Sequence, residues 1–256
     1  VILTLDIETI PDQSTGSRDA FLADARANFK APSTLTKEQA AVDLGLTDSN
    51  EIKFTSKAAM IERWQVAMAG EKADSVGDEA WRKTSFNGLY GSIACVCYSF
   101  DDEENIFSLD CLDGEAKMLE RFYSHIHERS SVQHVTGSAD IPLTVCGHNI
   151  VDFDMPFLYH RSVIHGVKPA PAMLKAMKSK HWDSCIADTM KMWCSDSQKR
   201  TSMDALCKAF GLEGKGDFDG SMVADAWPTD PAKVIAYCQD DVRRTRAMYK
   251  RMTWSA

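Results

Sequence analysis

The chain opens on a short aliphatic run, residues 1–7, with one acid near its end, Asp6, and a second just past it, Glu8. The run is rich in β-branched side chains and too short for a buried helix, so it reads as a buried strand. Pro11 and Asp12 end it. Residues two apart on a strand face the same way. Asp6 and Glu8 therefore present two carboxylates from one face. Like charges this close repel and raise each other's pKa, a penalty that a bound divalent cation removes. A core strand that ends this way must deliver its acids to a cation or to solvent.

No comparable strand follows until residues 92–100. Between them, over about 14–88, the composition changes: there is no cysteine, and Ala, Lys, Glu and Asp dominate. Residues 37–44 and 57–68 show helical spacing, with Thr36 and Thr55 as N-caps. The stretch reads as a partly helical insertion in one single domain of 256 residues. No segment of it offers enough apolar surface for a core of its own.

Beyond the insertion, residues 92–100 form a strand, 101–105 a hairpin turn and 106–109 its return. Residues 115–129 carry apolar side chains at 118, 119, 122 and 126, one face of a helix. Residues 143–146 are a short strand leading into Gly147-His148-Asn149. Helices follow at 155–165, with Pro156 in the first turn and Gly166 at the end, at 202–210, ended by Gly211, and at 231–252. The last has Ile235, Cys238, Val242, Thr245 and Tyr249 on one stripe. Strands first, then strands alternating with helices, give an α/β sandwich around a mixed sheet.

Composition excludes several classes. With 44% hydrophobic and 26% charged residues the chain is not intrinsically disordered. Its longest charge-free stretch, residues 84–100, is interrupted by Thr, Ser, Asn and Gly and does not supply the roughly 18 to 20 apolar residues of a spanning helix. The start, VILTL and then Asp6, lacks the basic and apolar regions of a signal peptide. A net charge of -8 argues against coating nucleic acid through bulk charge. Eight cysteines without a CxxC pair read as small buried hydrophobes in a reducing, cytoplasmic setting. The closest pair, Cys95 and Cys97, is read as pointing to opposite faces of a strand, and a zinc site is not expected. Cys185 reads as core.

Two further acidic motifs stand out. In Gly147-His148-Asn149-Ile150-Val151-Asp152-Phe153-Asp154-Met155-Pro156, Asp154 is the functional candidate and Asp152 its rival. Without a site, Asp154 would simply cap the following helix. In Tyr237-Cys238-Gln239-Asp240-Asp241, Tyr237 and Asp241 are four apart and share a helix face. Without a site, they would be a buried phenol bonded to a carboxylate.

Taken together, and in this order, a strand Asp-x-Glu, an Asn-x-x-x-Phe-Asp and a Tyr-x-x-x-Asp resemble the DEDD superfamily of 3'-5' exonucleases, in the subclass whose third motif carries tyrosine. The closest likeness is to stand-alone relatives of the proofreading domain of family-B DNA polymerases, which 215–221 (Lys215 to Ser221) and 237–242 also resemble. The resemblance covers residues 1–10 and about 90–250 and is silent over 14–88. It implies a ribonuclease H-like mixed sheet flanked by helices. It implies two divalent ions, Mg²⁺ or Mn²⁺, bridged by Asp6, with Glu8 and Asp241 completing the site of the nucleophilic water and Asp154 holding the second ion. Tyr237 would orient that water. Asn149, Phe153 and the backbone near Thr9 would grip the terminal nucleotide of single-stranded DNA, and nucleoside 5'-monophosphates would leave.

A basic island, Arg161, Lys168, Lys175, Lys178 and Lys180, lies in an acid-free stretch directly after Asp154 and is expected to steer a single-stranded end. Three assignments compete. A 3'-5' exoribonuclease of the same fold differs only in contacts to the 2'-hydroxyl. A non-catalytic nucleic-acid-binding module would use the acids as caps. Residues 14–88 would dock a replication or repair protein.

Overall fold

The computed structural model describes residues 1–134, 137–195, 200–214 and 216–255. The chain forms two compact units, Asp12–Lys83 and the pair of segments Val1–Pro11 and Thr84–Ala256.

The smaller unit holds helices α1 (Ser17–Asn28), α2 (Lys37–Asp43), α3 (Ser49–Phe54) and α4 (Lys57–Lys83). Contrary to the sequence expectation, it has a small core of its own. Leu35, Ala40, Ala41, Met60 and Trp64 are buried together. Each segment contributes only one or two of these residues, so none shows a core when read alone. The Trp64 indole N–H donates to Asp43 at 2.7 Å, and the Phe29 ring stacks on Trp64 at 6.0 Å. Helix α4 continues well past residue 68 because α1 lies along it. A Cβ at Gly77 would sit 2.9 Å from the Leu22 Cα, and Arg18–Asp78 and Arg26–Asp74 pair across the two helices. Thr36 caps α2 as expected, accepting from the Gln39 N–H. Ser56, not Thr55, caps α4 by accepting from the Ala59 N–H at 3.2 Å. Thr55 instead donates to the Glu51 carbonyl at the end of α3.

Among the described residues, the larger unit has the strands β1 (Ile2–Ile10), β2 (Ser92–Phe100), β3 (Phe107–Asp110), β4 (Ser131–His134), β5 (Gly137–Asp140), β6 (Thr144–Gly147) and β7 (Ile186–Asp188). Its helices are α5 (Glu115–Ser130), α6 (Asp154–His165), α7 (Pro171–Met177), α8 (Thr189–Cys194), α9 (Met203–Phe210), α10 (Val223–Ala226) and α11 (Pro231–Thr253). The main sheet runs β3-β2-β1-β6-β7, while β4 and β5 pair separately. The first three strands are antiparallel, and β1, β6 and β7 are parallel. This is the mixed, helix-flanked sheet of the ribonuclease H-like expectation.

Alternation along β1 sorts its side chains. Leu3, Leu5 and Ile7 join the core with α5, α6 and α7, including Met118, Phe122, Ile126 and Leu158. Ile10 joins the opposite core, where Cys95, Cys97 and Ala94 meet Val234, Cys238 and Val242 of α11. Asp6 stands opposite Cys97 and Glu8 opposite Cys95 in the antiparallel register. Cys95 and Cys97 therefore share one face, as the two-residue pleat requires. The expectation that they diverge is corrected.

Helix α6 is fixed by a buried ion pair. Arg161 donates to both Glu115 oxygens, at 2.9 and 2.7 Å, and Glu115 also accepts from the Ile93 N–H at 2.8 Å. Arg161 thus belongs to the core rather than to the basic island. A guanidinium this deep keeps its charge only because the carboxylate matches its fork. We expect Arg161→Leu, which leaves the buried Glu115 carboxylate with only the His165 imidazole and the Ile93 N–H as partners, to cost about 3–5 kcal/mol. Urea denaturation followed by circular dichroism measures it, and a loss below 1 kcal/mol would contradict the arrangement.

Candidate active site

Strand β6 pairs with β1 only from Ile2 to Thr4. Past that point β1 continues alone on that side, and the Asp154 carboxylate accepts the Ile7 N–H at 3.2 Å. Asp154 is the first residue of α6, and Phe153 holds the cap position. The capping role considered for Asp154 is therefore corrected: its side chain reaches across to β1 instead. Asp152 is exposed and pairs with Lys191 at 2.8 Å.

The main-chain turn before α6 is held by a residue that the motifs did not flag. Asp188 is fully buried at the end of β7. It accepts the N–H groups of Asn149 (3.0 Å), Val151 (3.1 Å), Met190 (2.9 Å) and Lys191 (3.2 Å). One carboxylate thereby caps α8 and clamps the turn. Asn149 sits at φ 63°, a left-handed conformation that Asn tolerates better than most residues. Its side-chain oxygen is buried with no hydrogen-bond partner among the described residues. The only local sign of Asp188 in the sequence was an Asp ahead of a short apolar helix.

Tyr237 and Asp241 come from α11. Both are buried. The apolar stripe is rotated from the expected one and is centred on Val234, Cys238, Val242 and Thr245. The Tyr237 hydroxyl bonds the Asp241 carboxylate, and Arg244 pairs with Asp241 at 2.9 Å. Arg244 was not anticipated, although its position three residues after Asp241 on a helix is the spacing of an ion pair.

The structure brings the four acids together. Glu8 is 8% exposed, and Asp154 and Asp241 are 4% exposed each. Burial, and then the charges of Glu8, Asp154 and Asp241, push Asp6 well above the usual carboxylate range. Burial pushes Asp154 up to about 7, against the hydrogen bond from Ile7. Burial and the carboxylates of Asp241, Glu8 and Asp6 also push the Tyr237 phenol far up. Four carboxylates this crowded suit a hard divalent cation, which removes the part of the Asp6 shift that comes from its acidic neighbours. Asp6, Glu8, Asp154 and Asp241 are the residues that could hold it.

The nucleotide-gripping candidates fall into two groups. Thr9 follows a bulge in the β1–β2 register, and its hydroxyl donates to the Ser85 carbonyl at 2.8 Å. Bulges re-aim strand ends beside active sites. Phe153 packs against Phe157 and, edge-on at 6.5 Å, against Phe86. Phe86 is 72% exposed and was missed because it lay inside the stretch without motifs. Lys168, Lys175, Lys178 and Lys180 are exposed. Lys215 lies outside the described residues.

A carboxyl raised in the folded state holds a proton that the unfolded chain has released. Asp154 therefore favours folding at low pH and loses that contribution as the pH rises from the ordinary 3.8 to about 7. Asp154→Asn is expected to remove that decline. Melting temperatures of the metal-free protein across this range, compared between wild type and variant, would show a flatter profile for the variant. Identical profiles would show that Asp154 does not titrate in this way.

Comparison with known families places the chain. The family model described as predicted 3'-5' exonuclease related to the exonuclease domain of PolB matches residues 87–256. That match includes Asp154, Tyr237 and Asp241 but not Asp6 and Glu8, which reach the site through β1. No curated protein matches the chain.

Proposed function

The chain belongs to this family of predicted 3'-5' exonucleases, and we propose that it removes nucleotides from the 3' end of single-stranded DNA with the help of two divalent ions. The observation that carries the reading is the convergence of four acids from β1, α6 and α11 beside a buried tyrosine. No helix of the described residues is long and apolar enough to cross a membrane.

Each residue has a task that its surroundings support. Asp6, Glu8, Asp154 and Asp241 hold the ions, Mg²⁺ or Mn²⁺. Such ions supply a water deprotonated at neutral pH and relief of charge on the leaving oxygen. Tyr237 keeps its proton at neutral pH, because burial and its acidic neighbours oppose a phenolate. It therefore orients the attacking water through its hydroxyl and does not act as a base. Asp241 accepts from that hydroxyl and fixes its direction. Asn149 offers its side-chain amide to the terminal nucleotide, and Phe153 with Phe86 offers ring surface for a base to stack on. Hydrolysis adds water across the terminal phosphodiester and frees a nucleoside 5'-monophosphate and a new 3'-hydroxyl.

The test is a 5'-labelled single-stranded DNA oligonucleotide with Mg²⁺ or Mn²⁺. We expect a ladder shortening from the 3' end that disappears with EDTA and with Asp6→Asn. Tyr237→Phe should retain binding and slow cleavage by about 10²-fold, the cost of a misplaced reactant. Internal cuts, or an Asp6→Asn protein as active as wild type, would overturn the reading. Preferential cleavage of the matching RNA would move the substrate to the exoribonuclease alternative.

The exposed lysines supply the phosphate contacts that the net charge does not. Reversing Lys175 and Lys178 to Glu should weaken binding of the metal-free protein to a single-stranded oligonucleotide. It should also reduce the slope of log affinity against log salt by about one per lysine. An unchanged slope would remove the basic island from the binding surface.

A further inference from the structure

Three thiols converge beneath the acidic end of β1. Cys95 and Cys97 stand on the face of β2 that looks toward α11, opposite Glu8 and Asp6. Cys238 meets them from α11. All three are buried, and their Sγ atoms lie within 4.8 Å of one another. The Cys238 Sγ is 3.4 Å from the Asp6 carbonyl and 3.5 Å from the Asp6 Oδ2. Cys238 also falls within 4.8 Å of one carboxylate oxygen each from Asp6 and Glu8.

These sulfurs are a different donor set from the carboxylates above them. Hard ions such as Mg²⁺ and Mn²⁺ prefer oxygen, whereas thiolates select Zn²⁺, Cu⁺ and their soft relatives. A tetrahedral Zn²⁺ with Zn–S near 2.3 Å needs sulfurs about 3.8 Å apart. Three Sγ atoms inside 4.8 Å reach that spacing by small side-chain rotations. A three-sulfur set leaves one tetrahedral position, and the Asp6 carboxylate is the oxygen donor next to Cys238.

The geometry points to a second cation site, for one thiophilic ion, with Cys95, Cys97 and Cys238 as sulfur ligands and Asp6 as the fourth ligand. On binding, each thiol gives its proton to water and the ion takes the thiolate. On the exonuclease reading proposed above, an ion held there draws Asp6 away from the hard-ion site. Thiophilic ions then inhibit without competing for oxygen ligands alone.

The probe is Cd²⁺ added to the full, reduced, metal-free chain. Thiolate-to-metal ultraviolet absorption is expected to saturate at one equivalent. Cys95→Ser and Cys97→Ser should each weaken binding by at least about tenfold, while Cys185→Ser leaves it unchanged. Circular dichroism melts check that the variants fold. X-ray absorption at the cadmium edge reads the wild-type shell directly and needs no variant: three sulfurs and one oxygen are expected. An oxygen-only shell, or affinity unaltered in a folded Cys97→Ser protein, would overturn the site. In the nuclease assay, Cd²⁺ added over Mg²⁺ should suppress wild-type cleavage and affect Cys97→Ser at least about tenfold less. If no cleavage is seen under any condition, the exonuclease reading fails while the sulfur shell still decides this site.

Discussion

Four carboxylates held in one place against their mutual repulsion are the constraint that the rest of the larger unit serves. Each comes from an element that cannot easily move. The pleat of β1 supplies Asp6 and Glu8 together, the first turn of α6 supplies Asp154, and the middle of α11 supplies Asp241. The fold offsets part of the cost locally. Asp154 takes the Ile7 N–H and sits at a helix N-terminus, where the backbone dipole favours negative charge. Asp241 pairs with Arg244. These contacts do not cancel the burial and repulsion felt by Asp6, which stays well above its ordinary range. A cation removes the remainder, so the protein stores, in its metal-free state, a part of the free energy with which it would bind one.

Two other buried acids do structural work that makes this convergence possible. Asp188 gathers four N–H groups from the turn before α6 and from the start of α8. Without it, that turn would bury unsatisfied donors beside Asn149 and Asp154. Glu115 ties α5, α6 and β2 through Arg161 and the Ile93 N–H, so the helix that begins at Asp154 is fixed along its length as well as at its start. Their partners are main-chain groups or, for Glu115, the distant Arg161 guanidinium and His165 imidazole, which is why neither residue belongs to a short motif.

What was legible in the sequence follows from this division. Long periodic segments were readable: the spacing of Met118, Leu119, Phe122 and Ile126 located α5, and residues 92–100 matched β2. The four-residue strands β3 and β6 were read at 106–109 and 143–146 from their aliphatic content, but other short elements were not. Strand β7 has three residues and α8 six, too few for a periodicity to show. Helix α1 has no buried residue of its own, so no apolar stripe marked it, and the second half of α4 buries only the small Ala73 and Gly77, which form no stripe either. The acids of the candidate site were legible because chemistry restricts them to a few residue types at fixed spacing. Arg161 was misassigned because a basic residue in an acid-free stretch looks exposed, whereas its partner Glu115 lies 46 positions away. The cysteines were misread through strand parity, and what they share became visible only once β2 and α11 were packed together.

The remaining tension is between a net charge of -8 and the polyanionic substrate proposed for the site. At physiological ionic strength a charge is felt over about 8 Å, so a phosphate near the surface responds to the groups beside it and not to the total. Acids gathered in a cleft and covered by bound cations would no longer repel it. Exposed lysines at 168, 175, 178 and 180, in a stretch whose arginine is withdrawn into the core, then dominate their own patch of surface. A local field of this kind favours holding one strand end over coating a long nucleic acid. On the proposed exonuclease reading, attraction confined to a few phosphates would also let the shortened strand leave after each cleavage, which a uniformly basic surface would resist.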